Sequence, residues 1–329
     1  MTFEGLPILI TGATGFIGGH LAERLLALRA DVRVLARKPE RAAALARAGV
    51  RILQGDLTDP ATLHGCCHGC TVVFHCAAWL GTPYTREASW ATNVAGTEAL
   101  VNEALAAGAR RFVHLSSVAV YGPVRQGIVT EETPLWKGIE LYGDSKIGGE
   151  EVIRAAMQRG LPAVITRPAM VYGPRSRGWT IRMVQWITHN RRAMVAGGLG
   201  LARPIFIDNL IDALLLSAER PVVGHAFTLV DLDLPWKDYL GYYARMVGKP
   251  PRSIPYTLAW LTALADETRA LVTRRPPRVR RTALGYAVSH AVFSAEKARK
   301  LLGWAPRYSI DEAMRSTERW LRENGYIRD

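Results

Sequence analysis

Through its first half the chain alternates short apolar runs with longer segments of helical period. The runs PILIT (7–11), VRVLA (32–36), RILQ (51–54), VVFH (72–75), RFVHLS (111–116) and AVITR (163–167) are too short for buried helices and rich in β-branched residues, so they predict strands. Between them, FIGGHLAERLLALR and EASWATNVAGTEALVNEALAAG carry helical spacing, and the second closes on Gly108, a usual C-cap residue. The alternation predicts an α/β fold, a doubly wound parallel sheet with helices on both faces. After about residue 170 the rhythm turns irregular, with Pro and Gly clustered at 197–204, 248–255 and 276–277. A last helical stretch, SIDEAMRSTERWLRENG, opens on Ser309 with Glu312 three residues on, the spacing of a capping box. The expected division is a sheet domain over 1–170 and a smaller C-terminal, substrate-binding lobe over 171–329. Later segments such as 205–220 are expected to return to the sheet.

Composition changes this picture little. The 329 residues are 49% hydrophobic and 22% charged, an ordinary globular balance. No apolar run approaches the roughly 18 to 20 residues that span a bilayer. The N-terminus enters a strand pattern directly, without a basic leader, which leads us to expect a cytoplasmic protein. The net charge of +13 is unusual, and only Lys38, Lys137, Lys146, Lys237, Lys249, Lys297 and Lys300 are lysines; the other basic residues are arginines. Such an excess fits anionic ligands, a nucleic-acid or membrane surface, or a general preference for Arg. Its main cluster, TRRPPRVRR (273–281), is interrupted by Pro and reads as a solvated loop, and no nucleic-acid-reading module accompanies it. All four cysteines fall in GCCHGCTVVFHCAA, where Cys67, Cys70, His68 and His75 lack a second ligand pair at metal-site spacing. We therefore expect no metal and reduced thiols.

The first strand runs into TGATGFIGGHLAERL. Gly12, Gly15 and Gly18 permit a tight strand-to-helix turn and a close approach of backbone to a pyrophosphate seated on the helix N-terminus. The second strand ends in Ala36, Arg37 and Lys38 where an acidic residue would hold the ribose hydroxyls of NAD. A cation there neutralises a 2′-phosphate instead, so the expected cofactor is NADP, with NAD as the alternative. After the third strand, Asp56 is a candidate acceptor for the adenine amino group, or a cap for the following helix, and Leu57 is a candidate to pack on the ring. Further on, LYGDSKIGGEE sets Tyr142 one helical turn ahead of Lys146.

With these parts in order, the chain resembles the extended short-chain dehydrogenase/reductase family over nearly its whole length. TGATGFIG, GDLTD, FHCAA, LSSVAVYG, YGDSK, RPAMVYGP, FIDNLIDA and FSAEKARKLLGWAPRYSIDEAM carry the likeness. The resemblance implies a Rossmann fold, a small-molecule substrate, a homodimer, and a catalytic set of Ser117, Tyr142 and Lys146. Ser116 is expected to face elsewhere. Asn93 matches an asparagine that orders the Lys through backbone and water, or else serves only its own helix. The same motifs place Thr14, Phe16, Ile17, Ala77, Ala78, Pro168 and Val171 beside the cofactor, with Tyr142 and Lys146. A phenol is a poor base near neutrality, and an ammonium and an oxidised nicotinamide both favour its ionised form.

Val118 and Ala119 follow Ser117 where dehydratases of the family carry an acid pair, which argues against elimination. Met170, Phe206 and Ile207 replace the amide and imidazole common in nucleotide-sugar epimerases, and imply a less polar substrate. Trp79, Trp90, Trp136, Trp179 and Trp186 are candidates to line such a pocket. Arg175, Arg177, Arg182 and Arg203 are candidates to grip a diphosphate, which keeps an epimerase open as the alternative. A non-catalytic NADP-binding regulator is a lesser alternative, because such relatives usually lose the Tyr-Lys pair.

Overall fold

The apolar runs form strands where the pattern predicts them. The computed structural model describes residues 2–81, 84–189, 194–273, 277 and 279–327. Its main sheet contains β1 (Pro7–Thr11), β2 (Asp31–Ala36), β3 (Arg51–Gln54), β4 (Val72–His75), β5 (Arg111–Leu115), β6 (Ala163–Pro168) and β7 (Ala226–Leu229). They lie in the order β7-β6-β5-β4-β1-β2-β3, and every neighbouring pair is parallel. Strand β7 is missing from the sequence reading because four residues in the irregular half are too few to show a period. Along β1, Ile8 and Ile10 enter the core on one side and Leu9 the core on the other, so both faces are buried.

Helices α1 (Phe16–Ala27), α2 (Gly96–Ala106), α3 (Leu141–Gln158) and α4 (Ile207–Glu219) are followed by α5 (Trp236–Val247), α6 (Tyr256–Thr273), α7 (Arg281–Ala287) and α8 (Ile310–Glu323). Arg24 on α1 meets Asp212 (3.0 Å) and Asp208 (3.5 Å) on α4, tying the 205–220 segment to the first helix. Helix α8 opens with both bonds of the Ser309–Glu312 capping box. The arginine-rich stretch read as a loop lies partly outside the described residues, at 274–276 and 278; Thr273 closes α6 and Arg281 opens α7.

Helix α3 is seated by a close approach and by a buried ion pair. A Cβ on Gly149 would stand 2.8 Å from the Asn93 carbonyl oxygen, so glycine lets α3 lie against the wide helical turn Ala91–Ala95. One turn beyond Lys146, Glu150 is fully buried and faces Arg167 of β6. Arg167 Nε donates to Glu150 Oε1 (2.8 Å) and Nη2 to Oε2 (2.6 Å), while Nη1 donates to the Tyr121 hydroxyl (2.8 Å). Ser116 Oγ adds a 2.6 Å bond to Glu150 Oε1. One carboxylate thus joins α3, the end of β5 and the end of β6. Arg167→Met strands that carboxylate and should cost about 3 to 5 kcal/mol in denaturant unfolding, whereas Glu150→Met/Arg167→Met together should cost less than Arg167→Met alone. A loss under about 1 kcal/mol for the single variant, the range of a surface pair, would remove the pair from this role.

Candidate active site

The parallel order turns every strand's carboxyl end toward one edge, and the strand order reverses between β1 and β4. Ligands of open α/β sheets bind in the crevice at such a reversal. The cofactor candidates and Ser117 gather at these carboxyl ends: Gly12–Gly18 after β1, Arg37 after β2, Asp56 and Leu57 after β3, Ala77 and Ala78 after β4, Ser117 after β5, Val171 after β6, with Pro168 as the last residue of β6.

The β1–α1 turn suits a dinucleotide. A Cβ on Gly12 would lie 2.6 Å from the Ala77 nitrogen, and one on Gly18 would lie 2.5 Å from the Gly12 oxygen. The turn is therefore pressed between β4's exit and its own helix, leaving Thr14 and Gly15 exposed at the lip. No side chain caps α1 and its first turn carries no acidic residue, so its positive end is open to an anion. Phe16 and Ile17 are half-buried in that first turn. Beneath it, Thr11 Oγ1 bonds His75 Nδ1 (2.7 Å) and accepts from the Ala77 amide (3.3 Å), while His75 Nε2 bonds Thr97 (2.9 Å). His75 is thus a partnered core histidine, pushed down to about 3 by burial and the Lys146 charge. Among the described residues no cluster of His, Cys, Asp or Glu is arranged to hold a metal.

Arg37 Nε stands 3.8 Å from Asp56 Oδ2, with more than half of the arginine side chain exposed. Asp56 does not cap a helix. Its Oδ1 accepts from the Thr58 amide (2.9 Å) and hydroxyl (2.8 Å), an Asx-type turn that leaves Oδ2 free toward Arg37. Leu57 packs against Gly96 and keeps only 8% of its surface exposed.

Tyr142 lies in the first turn of α3, and Lys146 one turn on is buried with its Nζ donating to the Leu115 carbonyl (2.8 Å). Burial pushes the Tyr142 phenol up to about 12, and a hydrogen bond with Ser117 pulls the other way. Burial also pushes the Lys146 ammonium down to about 8, opposed by Cys76 and Glu150. Without a bound cofactor, burial outweighs the Ser117 hydrogen bond and holds the Tyr142 phenol protonated. Ser116, as expected, faces away, onto Glu150. The side chain of Asn93 reaches beyond its own helix. Its Oδ1 accepts from the Trp79 amide (2.6 Å), its Nδ2 donates to Ser145 (3.0 Å) and Tyr84 (3.3 Å), and its carbonyl is taken by Thr97 (2.8 Å). It clamps the β4 exit to the residue beside Lys146. Tyr84, whose ring meets Tyr142 edge-on at 6.1 Å, was not singled out from the sequence, since its segment has no period.

A cavity of about 440 Å³ lies between the segment after Ser117 and α7. Arg125, Arg281 and Thr282 line it beside Pro123, Val124, Trp136 and Gly285, and the atoms exposed in it are mainly apolar. Ser117, Tyr142 and Lys146 are not among its lining residues. Of the five tryptophans, Trp136 alone lines it. Trp179 packs on Trp236 (6.1 Å), Trp90 lies under Arg86 (4.4 Å), Trp79 encloses its indole nitrogen, and Trp186 packs on the core. Phe206 and Ile207 are core residues, with Phe206 on Tyr172 and Tyr308, so they set no substrate surface; Met170 is half-buried. Two of the four candidate diphosphate arginines are engaged. Arg175 grips Glu23 with two 2.6 Å bonds, and buried Arg203 donates to Ser289 and the Ala291 carbonyl. Arg177 and Arg182 flank the turn Arg177–Ile181.

Residues 8–229 match the model of the NAD dependent epimerase/dehydratase family. The 4-hydroxy-2-methyl-3-oxo-4-farnesyl-3,4-dihydroquinoline-1-oxide ketoreductase of Stigmatella aurantiaca is 29% identical, over 93% of this chain and 93% of its own. The decarboxylating sterol-4-alpha-carboxylate 3-dehydrogenase of Mus musculus is 26% identical, over 94% of this chain and 89% of its own. The crystal structure of gox2253 superposes with a TM-score of 0.81 at 27% identity, covering 98% of this chain and 99% of that one. The matched span is well over half of the chain, which is an NAD(P)-dependent enzyme of the NAD dependent epimerase/dehydratase family.

Proposed function

We propose that the protein is an NADP-linked reductase of a carbonyl on a small, largely apolar substrate, with Ser117, Tyr142 and Lys146 as its catalytic residues. The observation that carries this reading is the mainly apolar cavity of about 440 Å³ that Pro123 and Val124, which follow Ser117 in the chain, line together with Trp136. The cavity's own arginines are Arg281, paired with Glu267, and the exposed Arg125, while the diphosphate candidates Arg175 and Arg203 are held by other partners. The two named relatives, a ketoreductase and a dehydrogenase, agree in reaction class. A nucleotide-sugar epimerase is the second reading, favoured by the breadth of the family and by Arg177 and Arg182.

The Gly12–Gly18 turn and the open N-terminus of α1 would hold the pyrophosphate, with Arg37 beside the adenosine ribose. When bound, the nicotinamide supplies the hydride. Ser117 donates a hydrogen bond to the substrate oxygen and Tyr142 gives it a proton as its charge grows. With its phenol raised to about 12, Tyr142 rests as the protonated acid that carbonyl reduction requires. Lys146 spends one of its three donors on the Leu115 carbonyl, which aims the ammonium and leaves two for the Tyr142 side and the cofactor ribose.

Arg37→Ala should weaken NADP binding by about 1 to 3 kcal/mol in titration calorimetry and leave NAD nearly unchanged. Equal losses for both cofactors would reduce Arg37 to a surface cation whose partner is Asp56.

Cofactor balance separates the two reactions. NADPH with apolar ketones or aldehydes should lose absorbance at about 340 nm in step with product, since reduced nicotinamide gives up its hydride. Nucleoside-diphosphate sugars should yield neither bleaching nor a new isomer. An isomer formed at constant total cofactor would replace this reading with the epimerase.

A further inference from the structure

Helix α6 (Tyr256–Thr273) turns its uncharged side outward. Only Ala259 and Ala263 of its 18 residues are fully buried, and they sit one turn apart on the face that meets the protein. The opposite face carries Thr257, Leu258, Leu261, Ala265, Thr268 and Val272, at helical spacing and all exposed. Leu258 is 48% exposed and Leu261 56%, and Leu271 and Val272 at the last turn reach 82% and 81%. A soluble surface helix normally puts its charges on this side, so the pattern is inverted.

Three threonine hydroxyls of α6 bond its own backbone, and its acidic groups pair within the helix or with α7. Thr262 donates to the Ala259 carbonyl (2.8 Å), Thr268 to Leu264 (3.0 Å) and Thr273 to Arg269 (2.8 Å). Asp266 pairs with Arg269 (2.9 Å) and Glu267 with Arg281 (2.7 Å). Positive charge flanks the helix in the chain: Arg252 is exposed before it and Arg280 after it, and Lys249, also exposed, donates to the Thr188 carbonyl (3.1 Å). A hydroxyl that already bonds its own backbone enters an apolar medium at little cost, and arginines at the edge reach anionic headgroups while the leucines sink.

We propose that the outward face of α6 docks on an anionic lipid bilayer, with the helix lying in the headgroup region parallel to the surface. No described helix is long and apolar enough to cross a membrane, so this is attachment to one leaflet. Charge favours lipid over a second copy, because a two-fold contact would set the same cations against each other. The location adds a use. Helix α7 packs beside α6 and supplies Arg281, Thr282 and Gly285 to the wall of the apolar cavity. A docked α6 therefore holds the cavity next to the lipid, from which an apolar substrate can enter without crossing water.

The test is flotation of the purified full-length protein with vesicles of phosphatidylcholine alone or mixed with phosphatidylglycerol, alongside sizing chromatography. Wild type should float with the anionic vesicles, less so at high salt, and stay behind with the neutral ones. Leu258→Glu/Leu261→Glu should cut recovery on anionic vesicles by about tenfold or more, as expected when apolar insertion is lost. Its circular dichroism should be unchanged, and so should its NADPH oxidation with a water-soluble ketone, if the enzyme shows that activity. Leu271→Gln/Val272→Gln, at the fully exposed end of α6, should act in the same direction. Failure of wild type to float with either vesicle would overturn the proposal. So would flotation that neither variant alters, or a change of oligomeric state in the Leu258→Glu/Leu261→Glu variant, which would make this face a contact between copies. None of these readouts depends on which reaction the active site performs.

Discussion

The buried Glu150–Arg167 pair is the constraint on which the arrangement of this enzyme rests. Two opposite charges, 0% and 1% exposed at the side chain, are held together because separating them leaves Arg167 unpaired in the core and Glu150 with only Ser116 and the more distant Arg154 at 3.6 Å. Their elements are the ones that carry the candidate chemistry. Glu150 is one turn from Lys146, its Ser116 partner adjoins Ser117, and Arg167 adjoins Pro168 at the end of β6. A shift of α3 along the sheet would have to break the bidentate bond before it could misalign Tyr142 with Ser117. Asn93 adds a second clamp from the β4 side, through Ser145.

Burial then sets the protonation states. The same packing that fixes α3 strips water from Tyr142 and Lys146 and moves them in opposite directions, to about 12 and about 8. Both shifts favour the neutral side chain. At neutral pH the phenol keeps its proton while the ammonium, still below its shifted pKa, keeps its charge. A protonated phenol beside a charged ammonium is the resting state that the proposed reduction uses.

The sheet was legible because strands buried on both faces leave uninterrupted β-branched runs, and six of the seven main strands appear as such. The glycine turn, Tyr142 and Lys146 were legible because each needs a fixed local spacing. What the chain order hides is which groups meet across it. Glu150 and Arg167 are unremarkable charges until α3 and β6 are packed. Arg203 reads as a candidate to grip a diphosphate but is buried on Ser289 and Ala291. Phe206 looks like a lining residue and is core. The outward leucines of α6 are invisible to composition, since the period of a helix does not say which side faces the protein.

The central claim is that Tyr142 moves the proton. Tyr142→Phe keeps the ring, its contact with Tyr84 and the burial of α3, and removes only the ionisable hydroxyl. Single-turnover reduction of a bound ketone, followed by loss of NADPH absorbance, should slow by about 10² to 10⁴-fold, with cofactor affinity and unfolding midpoint unchanged. A variant that reduces the ketone at the wild-type rate would contradict the account, because the proton would then have to come from another group.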